Sequence, residues 1–378
     1  MNNGMKWLLA LSLALNVLAL VLISYLFGVL RGSRELPAPS PIASGIPTPQ
    51  PPGMPRAEAG IDAPSDDEAW DPSEEERPAP SRKAGQSGRA ITPGRPGDDW
   101  QCVTASAPFG SRREIAAVIF KDRFWVIGGV DRDDVWSSPD GRQWTCTTEH
   151  AGFRGGWGHD AAVFGDRIWV IGGGGRSDIW NSKDGIQWER VRQESPFGGR
   201  TDHTLTAFKD RLWLIGGFHK GSPTNDVWYS KNGRDWKCAV SAAPFPARRG
   251  HVCVVHDGRL WIHGGESSET DRHLSDVWHS EDGKRWVRDT ENTPFNARYM
   301  HGAVSHEDGW WIIGGDEGDF VWENDSWFTR NGKDWEKINP DCAFKGRVAY
   351  RVLSFQNRLW LIAGDHADVW CSPPLADK

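Results

Sequence analysis

Six times this sequence closes a short apolar run with a pair of small residues: Gly128-Gly129, Gly172-Gly173, Gly216-Gly217, Gly264-Gly265, Gly314-Gly315 and a degenerate Ala363-Gly364. By subtraction the spacings are 44, 44, 48, 50 and 49 residues. Around each copy one frame recurs: a P-F-x-x-R-x-x-H lead-in, an apolar strand, D-R-L-W-L-I-G-G, a loop, D-V-W-x-S, a D-G or N-G turn, and a second Trp. A period of this length is the signature of a repeat architecture, in which one unit buries its faces only against its neighbours.

The tryptophans follow the period. One set is Trp125, Trp169, Trp213, Trp261, Trp311 and Trp360; a second is Trp136, Trp180, Trp228, Trp278, Trp327 and Trp370. The third is Trp144, Trp188, Trp236, Trp286 and Trp335, with Trp100 ahead of the first unit. Repetition thus accounts for 18 of the 23 Trp, which are core rather than site. The apolar runs are too short for helices and are bounded by turn residues, so each unit reads as four short strands. Asp-Gly and Asn-Gly supply the positive φ of a tight hairpin between strands three and four. Such units suit radial packing, and the expected fold is an all-β, six-bladed β-propeller.

The last unit stops after its third strand, at Trp370-Cys371. Asp99-Trp100-Gln101-Cys102 has the form of the missing fourth strand, so an N-terminal strand is expected to close the ring and leave no open edge. Cys102 and Cys371 would then lie on adjacent antiparallel strands within disulfide reach, and a Cys102–Cys371 bridge is expected.

This frame resembles the Kelch repeat family, including the propeller part of galactose-oxidase-like proteins, over residues 99–372. Its S-x-D-G-x-x-W turn is similar to the Asp-box hairpins of sialidase-type propellers. The resemblance implies a fold and leaves function open, since Kelch-like propellers host protein binders, sugar enzymes and oxidases. A copper radical oxidase would need two Tyr and two His at a metal, with a Cys joined to one Tyr. The propeller has Tyr229, Tyr299 and Tyr350, and no Cys neighbours Tyr299 or Tyr350.

Ahead of the repeat, Trp7–Leu30 is an uncharged apolar run of 24 residues, enough to span a bilayer core of about 30 Å. It lacks the small-residue cleavage site of a secretory signal. Residues 1–34 are therefore expected to be a short tail and a single transmembrane signal anchor, with residues 7–30 in the membrane. Flanking charges balance and do not set orientation; the layout favours an extracytoplasmic propeller. Residues 35–98 are Pro-rich and then acidic, without apolar periodicity, and are expected to be a disordered linker reaching on the order of 45 Å. Residues 99–372 would be the propeller, expected to be monomeric, and 373–378 a C-terminal tail.

The formal charge of −7 carries no basic stripe, so nucleic acid is not an expected partner. None of the six cysteines forms a CxxC pair, and no zinc site is expected. The lead-in His159, His203, His251 and His301 occur once per unit, which reads as a blade requirement rather than a metal site; no metal and no cofactor are expected. Ligand-binding residues are sought where the six-fold pattern breaks. The loops after strand two are long in units three to five and contribute His219, Glu266, Arg272, Asp316, Glu317 and Trp322. The lead-in side contributes Arg113, Trp157, Arg249, Tyr299 and Arg351, and the last unit His366. Both charge signs with aromatics around a central depression suit a protein or glycan ligand, and no catalytic set can be read. The alternative left open is an extracytoplasmic sugar mutarotase or epimerase of the sialic-acid type, with Glu266, Glu317, Arg249 and His366 in acid–base roles.

Overall fold

The computed structural model describes residues 99–374 apart from 154–155 and 270–271. The expected membrane anchor at 1–34, the linker at 35–98 and the last residues of the tail lie outside that range. The described residues form six four-stranded antiparallel sheets and one two-stranded ribbon. Blade 1 runs from an innermost strand Ala116–Phe120 through Arg123–Gly129 and Arg132–Ser138 to an outermost Thr145–Thr148. The innermost strands of the next blades are Asp160–Phe164, Thr204–Phe208, Val252–His256, Gly302–His306 and Arg351–Phe355. In blade 6 the chain supplies only Arg351–Phe355, Arg358–Ile362 and Val369–Cys371, and Gln101–Thr104 pairs outside them as the fourth strand. Ring closure by the N-terminal strand is therefore present, and the last blade has no bare outer edge of its own making.

The three Trp sets take three distinct places. Those on the second strands are buried, and Trp125, Trp169, Trp213, Trp261 and Trp360 each donate their indole N–H to the carbonyl of the residue ending strand one. The ring of Trp125 also lies over the turn of the following blade at Gly185, where a Cβ would collide with it. Gly185 has φ +77°, so the hairpin and the blade contact require glycine together. The outermost Trp set meets the lead-in phenylalanines edge to face: Phe109–Trp144, Phe153–Trp188, Phe197–Trp236, Phe245–Trp286 and Phe295–Trp335. Phe344–Trp100 completes the set at 5.3 Å and 85°, so Trp100 occupies the sixth equivalent place.

The second Trp set belongs to a clasp. In blade 5 Arg298 is 1% exposed and bonds both carboxylate oxygens of Asp325, while Trp327 donates its indole N–H to the same carboxylate. Arg112–Asp134, Arg200–Asp226, Arg248–Asp276 and Arg347–Asp368 repeat it. The guanidinium also donates to the carbonyl at the end of strand two, at Gly128, Gly216, Gly264, Gly314 and Ala363. The arginine of the lead-in is thus a staple joining three segments of one blade. Blade 2 has Gly156 at that lead-in position. Its hairpin supplies Arg176 instead, whose guanidinium fills the space a Gly156 side chain would need and lies 3.9 Å from Asp178.

The expected Cys102–Cys371 disulfide is absent, and all six cysteines are free thiols. Gln101 pairs with Cys371 and Cys102 pairs with Trp370. A one-residue offset puts the two side chains on opposite faces of the sheet. Cys371 points into the core between blades, 3% exposed, and Cys102 points to solvent.

Candidate functional site

One face of the ring carries both the lead-in loops and the loops after strand two. Backbone bridges tie them together at Thr201–Phe218, Arg249–Glu266 and Tyr299–Asp316 within blades 3, 4 and 5. Thr224–Arg248 and Arg112–His366 link one blade to the next, the last of these across the closure. The long loops are extensions of the hairpin. Blade 3 pairs as far as His219–Ser222, blade 5 as far as Asp316–Trp322, and blade 4 adds the ribbon Glu266–Ser267 with Arg272–His273. They stand up from the face because their backbone groups are paired, not because they are long.

At the centre of this face the residue before each lead-in His, or its equivalent, adopts positive φ: Glu114, Gly158, Asp202, Gly250, Met300 and Ala349, from 51° to 71°. Their amides and carbonyls link blade to blade. Asp202 donates to Gly158, Gly250 to Asp202, Met300 to Gly250, Ala349 to Met300 and Glu114 to Ala349, at 2.8–3.0 Å. This collar surrounds a cavity of about 280 Å³ at the head of the central channel. The lead-in histidines stand just below it and are structural: the ring nitrogens of His159 lie 3.0 and 3.1 Å from the carbonyls of Ile127 and Gly156, and Tyr350 in the sixth place donates its hydroxyl to Ile313. His203 differs, since it is buried with neither ring nitrogen bonded. Burial and the nearby Arg200 push its pKa down to about 3, so it is a neutral imidazole.

Two collar positions carry carboxylates. Burial, then the neighbouring Asp202, push Glu114 up to about 7; Arg113 and a backbone hydrogen bond from Gly158 act the other way. Burial also raises Asp202, against the pull of Arg249. Close by, Arg351 pairs with Asp160 at 3.3 Å and Arg249 with Glu266 at 2.8 Å. Glu114, Asp160 and Asp202 are not among the residues singled out from the sequence. A signal was there: the collar position is occupied elsewhere by Gly, Met and Ala, and only units one and three place a carboxylate at it.

The residues singled out from the sequence fall into separate groups on this face. Arg249, Glu266 and Arg351 border the collar. Tyr299 stacks on His273 at 4.5 Å and pairs through its backbone with Asp316. His219 donates from Nδ1 to the Gly199 carbonyl at 2.6 Å, which fixes the blade 3 hairpin to its lead-in. Glu317 accepts from Asn296, and Arg272 pairs through its backbone with Ser267. Arg113 is exposed, and His366 is half-buried beside the closure with its pKa lowered by burial. Of the four acid–base candidates, Glu266 and Arg249 pair with each other, Glu317 lies on the blade 5 hairpin, and His366 belongs to blade 6. Trp157 and Trp322 are 41% and 40% exposed, against a largely buried tryptophan population. Phe320, at the tip of the blade 5 hairpin, is 89% exposed. Among the described residues no group of three His, Cys, Asp or Glu is arranged to hold a metal ion.

A family model described as the KLHDC2/KLHL20/DRC7 Kelch-repeats domain matches residues 114–288 and, in an overlapping placement, 158–364. No curated protein matches the chain. Among solved structures, that of YjhT is similar at a TM-score of 0.61 and 15% identity, covering 71% of this chain and 96% of that one. At that identity the likeness is one of fold.

Proposed function

The chain belongs to the Kelch-repeat domain family, and on that premise we propose that it is a membrane-tethered recognition scaffold whose ligand, a protein in the first instance, docks on the face bearing the extended hairpins. One observation carries the reading. Phe320, Val321 and Trp322 are 89%, 46% and 40% exposed at the end of a hairpin whose backbone is paired up to Asp316–Trp322. A rigid stem holding an apolar tip in water is costly for folding and useful for binding, because aromatic anchors supply most of an interface's energy. Support for the tether is the apolar run at 7–30, and the stretch to residue 98 gives the propeller reach from a membrane. An extracytoplasmic, monomeric propeller is part of the same proposal.

The experiment is a comparison of capture by the full chain and by a Phe320→Ser/Trp322→Ser variant, with a glycan array run alongside. Both side chains are exposed, so thermal stability should be unchanged. A protein retained by the wild type and lost by the variant supports the reading. An unchanged set of captured proteins, or glycan binding that ignores the substitutions, rejects the hairpin as the recognition element.

A further inference from the structure

Six large apolar residues are exposed among the described residues, and three of them, Phe320, Val321 and Trp322, are consecutive. Scattered apolar residues are ordinary on a surface, whereas a contiguous group marks a contact. The turn that presents this group runs from Gly318 to Val321, whose amide donates to the Gly318 carbonyl at 3.0 Å. Both central residues take positive φ, 52° at Asp319 and 59° at Phe320. Gly, Asn and Asp suit such positions, and a bulky ring there is an outlier. The blade 3 hairpin meets the same demand with Lys220 and Gly221. Phe320 thus strains its turn and gains no burial, a combination that folding does not favour. The turn is also braced. The Asp316 carboxylate accepts from the Gly318 amide at 2.7 Å, and a Cβ on Gly318 would lie 3.8 Å from the His273 ring, itself stacked on Tyr299.

The flanks of this tip carry charge of one sign. Asp316, Glu317, Asp319 and Glu323 belong to the hairpin, and no Lys or Arg lies between Asp316 and Asn324. Glu317, Asp319 and Glu323 make no ion pair among the described residues. Burial raises the Glu323 pKa, and the like charges of Asp325 and Glu317 push the same way. Arg298 and Lys337 are paired with Asp325 instead. Lys345 is in the next lead-in, one residue before Gly346, where a Cβ would collide with the Trp322 carbonyl. Three carboxylates beside one ammonium leave the tip acidic.

We propose that the blade 5 hairpin docks a basic segment of a partner protein. The segment sets an aliphatic or aromatic side chain against Phe320 and Trp322, and Lys or Arg side chains against Glu317, Asp319 and Glu323. This inference rests on reading the hairpin as the recognition element, and it adds the charge that the partner presents. An interface with an apolar centre and a polar rim needs complementary potential at that rim. An anionic lipid surface would meet the same carboxylates with like charge. A second copy related by a two-fold axis would bring two acidic flanks together. The strand that follows residue 98 begins with Gln101 opposite Cys371, at the end of strand three away from the hairpin. The preceding chain therefore joins the propeller on the other face.

The probe is a phage-displayed library of random dodecapeptides, selected on the full chain in neutral detergent. Synthetic copies of the enriched peptides are then measured by fluorescence anisotropy. Enriched peptides should be net positive and contain a large apolar residue. Glu317→Gln/Asp319→Asn/Glu323→Gln should weaken them roughly tenfold, the combined effect of three exposed ion pairs. Added salt should weaken binding to the wild type more than to that variant. Asp319→Asn alone should weaken binding about two- to threefold, and Asn suits positive φ, so the turn is kept. Phe320→Ser should weaken it roughly thirtyfold, as for an aromatic anchor.

Neutral or acidic peptides that still require Phe320 and Trp322 overturn the charge assignment and leave the hairpin reading standing. Basic peptides that bind Phe320→Ser/Trp322→Ser equally well overturn both. A library without any binder overturns the inference as well. Other occupants have their own outcomes, each of which overturns it. Residues 77–95 carry Arg77, Arg82, Lys83, Arg89 and Arg95 without an acid, and a peptide of that sequence binding through Phe320 would make the chain its own ligand. Phosphatidylserine vesicles recruiting the nanodisc-held wild type but not Phe320→Ser/Trp322→Ser would identify a lipid surface. Self-association lost in that variant would identify a second copy.

Discussion

Gln101, on the strand that enters from the N-terminal side, stands opposite Cys371 on the last strand of the chain. The next pair is Cys102 with Trp370, so alternate side chains of the entering strand face the core and the solvent. Thiol chemistry reports this register directly. All six cysteines should be alkylated in denaturant without prior reduction, and non-reducing peptide maps should show no Cys102–Cys371 peptide. In the native protein Cys102 and Cys238, both exposed, should label first. Cys253, which burial pushes up to about 12, should stay protected until unfolding. Labelling of Cys371 before Cys102 would contradict the register.

Closure can be probed through one side chain. Trp100 is 4% exposed and lies against Phe344 between the last two blades. Trp100→Ala should cost about 3–5 kcal/mol in denaturant unfolding, as for a large aromatic removed from a core. Deleting residues 98–105 should go further and abolish the single cooperative transition. A trimmed chain with unchanged unfolding would show that the ring does not depend on its entering strand.

The clasp in blade 5 should be asymmetric to mutation. Arg298 and Asp325 side chains are 1% and 4% exposed, so removing either alone strands a buried charge. Arg298→Met or Asp325→Leu should each cost about 3–5 kcal/mol. The double variant should cost much less than both combined, because the surviving charge is gone. Additive losses would mean that the two groups act separately.

Acid stability follows from the buried imidazoles. His203 and His263 have folded pKa values of about 3, against 6.5 for a free imidazole. Below 6.5 the unfolded chain binds protons that the folded chain refuses, so stability falls as pH drops from 6.5 towards 3. Each such histidine contributes a slope of up to roughly 1.4 kcal/mol per pH unit in that window. The clasp aspartates, lowered chiefly by their hydrogen bonds to arginine against the opposing effect of burial, add a further loss in more acid solution. Denaturant unfolding of His203→Asn across pH 4–7 should show a shallower slope than wild type. An unchanged slope would mean that His203 titrates normally in the fold.

Much of the architecture was legible because a propeller asks the same thing of each blade. A residue type that returns every 44–50 positions identifies its place in the blade before any coordinate is known. That is why the three Trp sets, the glycine turns and the entering strand could be read in advance. The lead-in arginines were legible as recurrent but not as clasps, since their partners lie 21–28 residues away, on the third strand or just before it. Arg176 could not be matched to Gly156 at all from the pattern, because a guanidinium supplied from the opposite loop preserves the contact and abolishes the motif.

The sequence by itself determined the number of blades, the strand that completes the last of them and the residues that form its layers, because these depend on local periodicity and repetition. Tertiary structure alone decided which face Cys371 takes, since one residue of register reverses every side chain on a strand. It also decided that Glu114 and Asp202, from blades that are not neighbours, meet over Gly158. Contacts across the collar depend on how closing the circle sets three lead-ins side by side, and no single repeat carries that information.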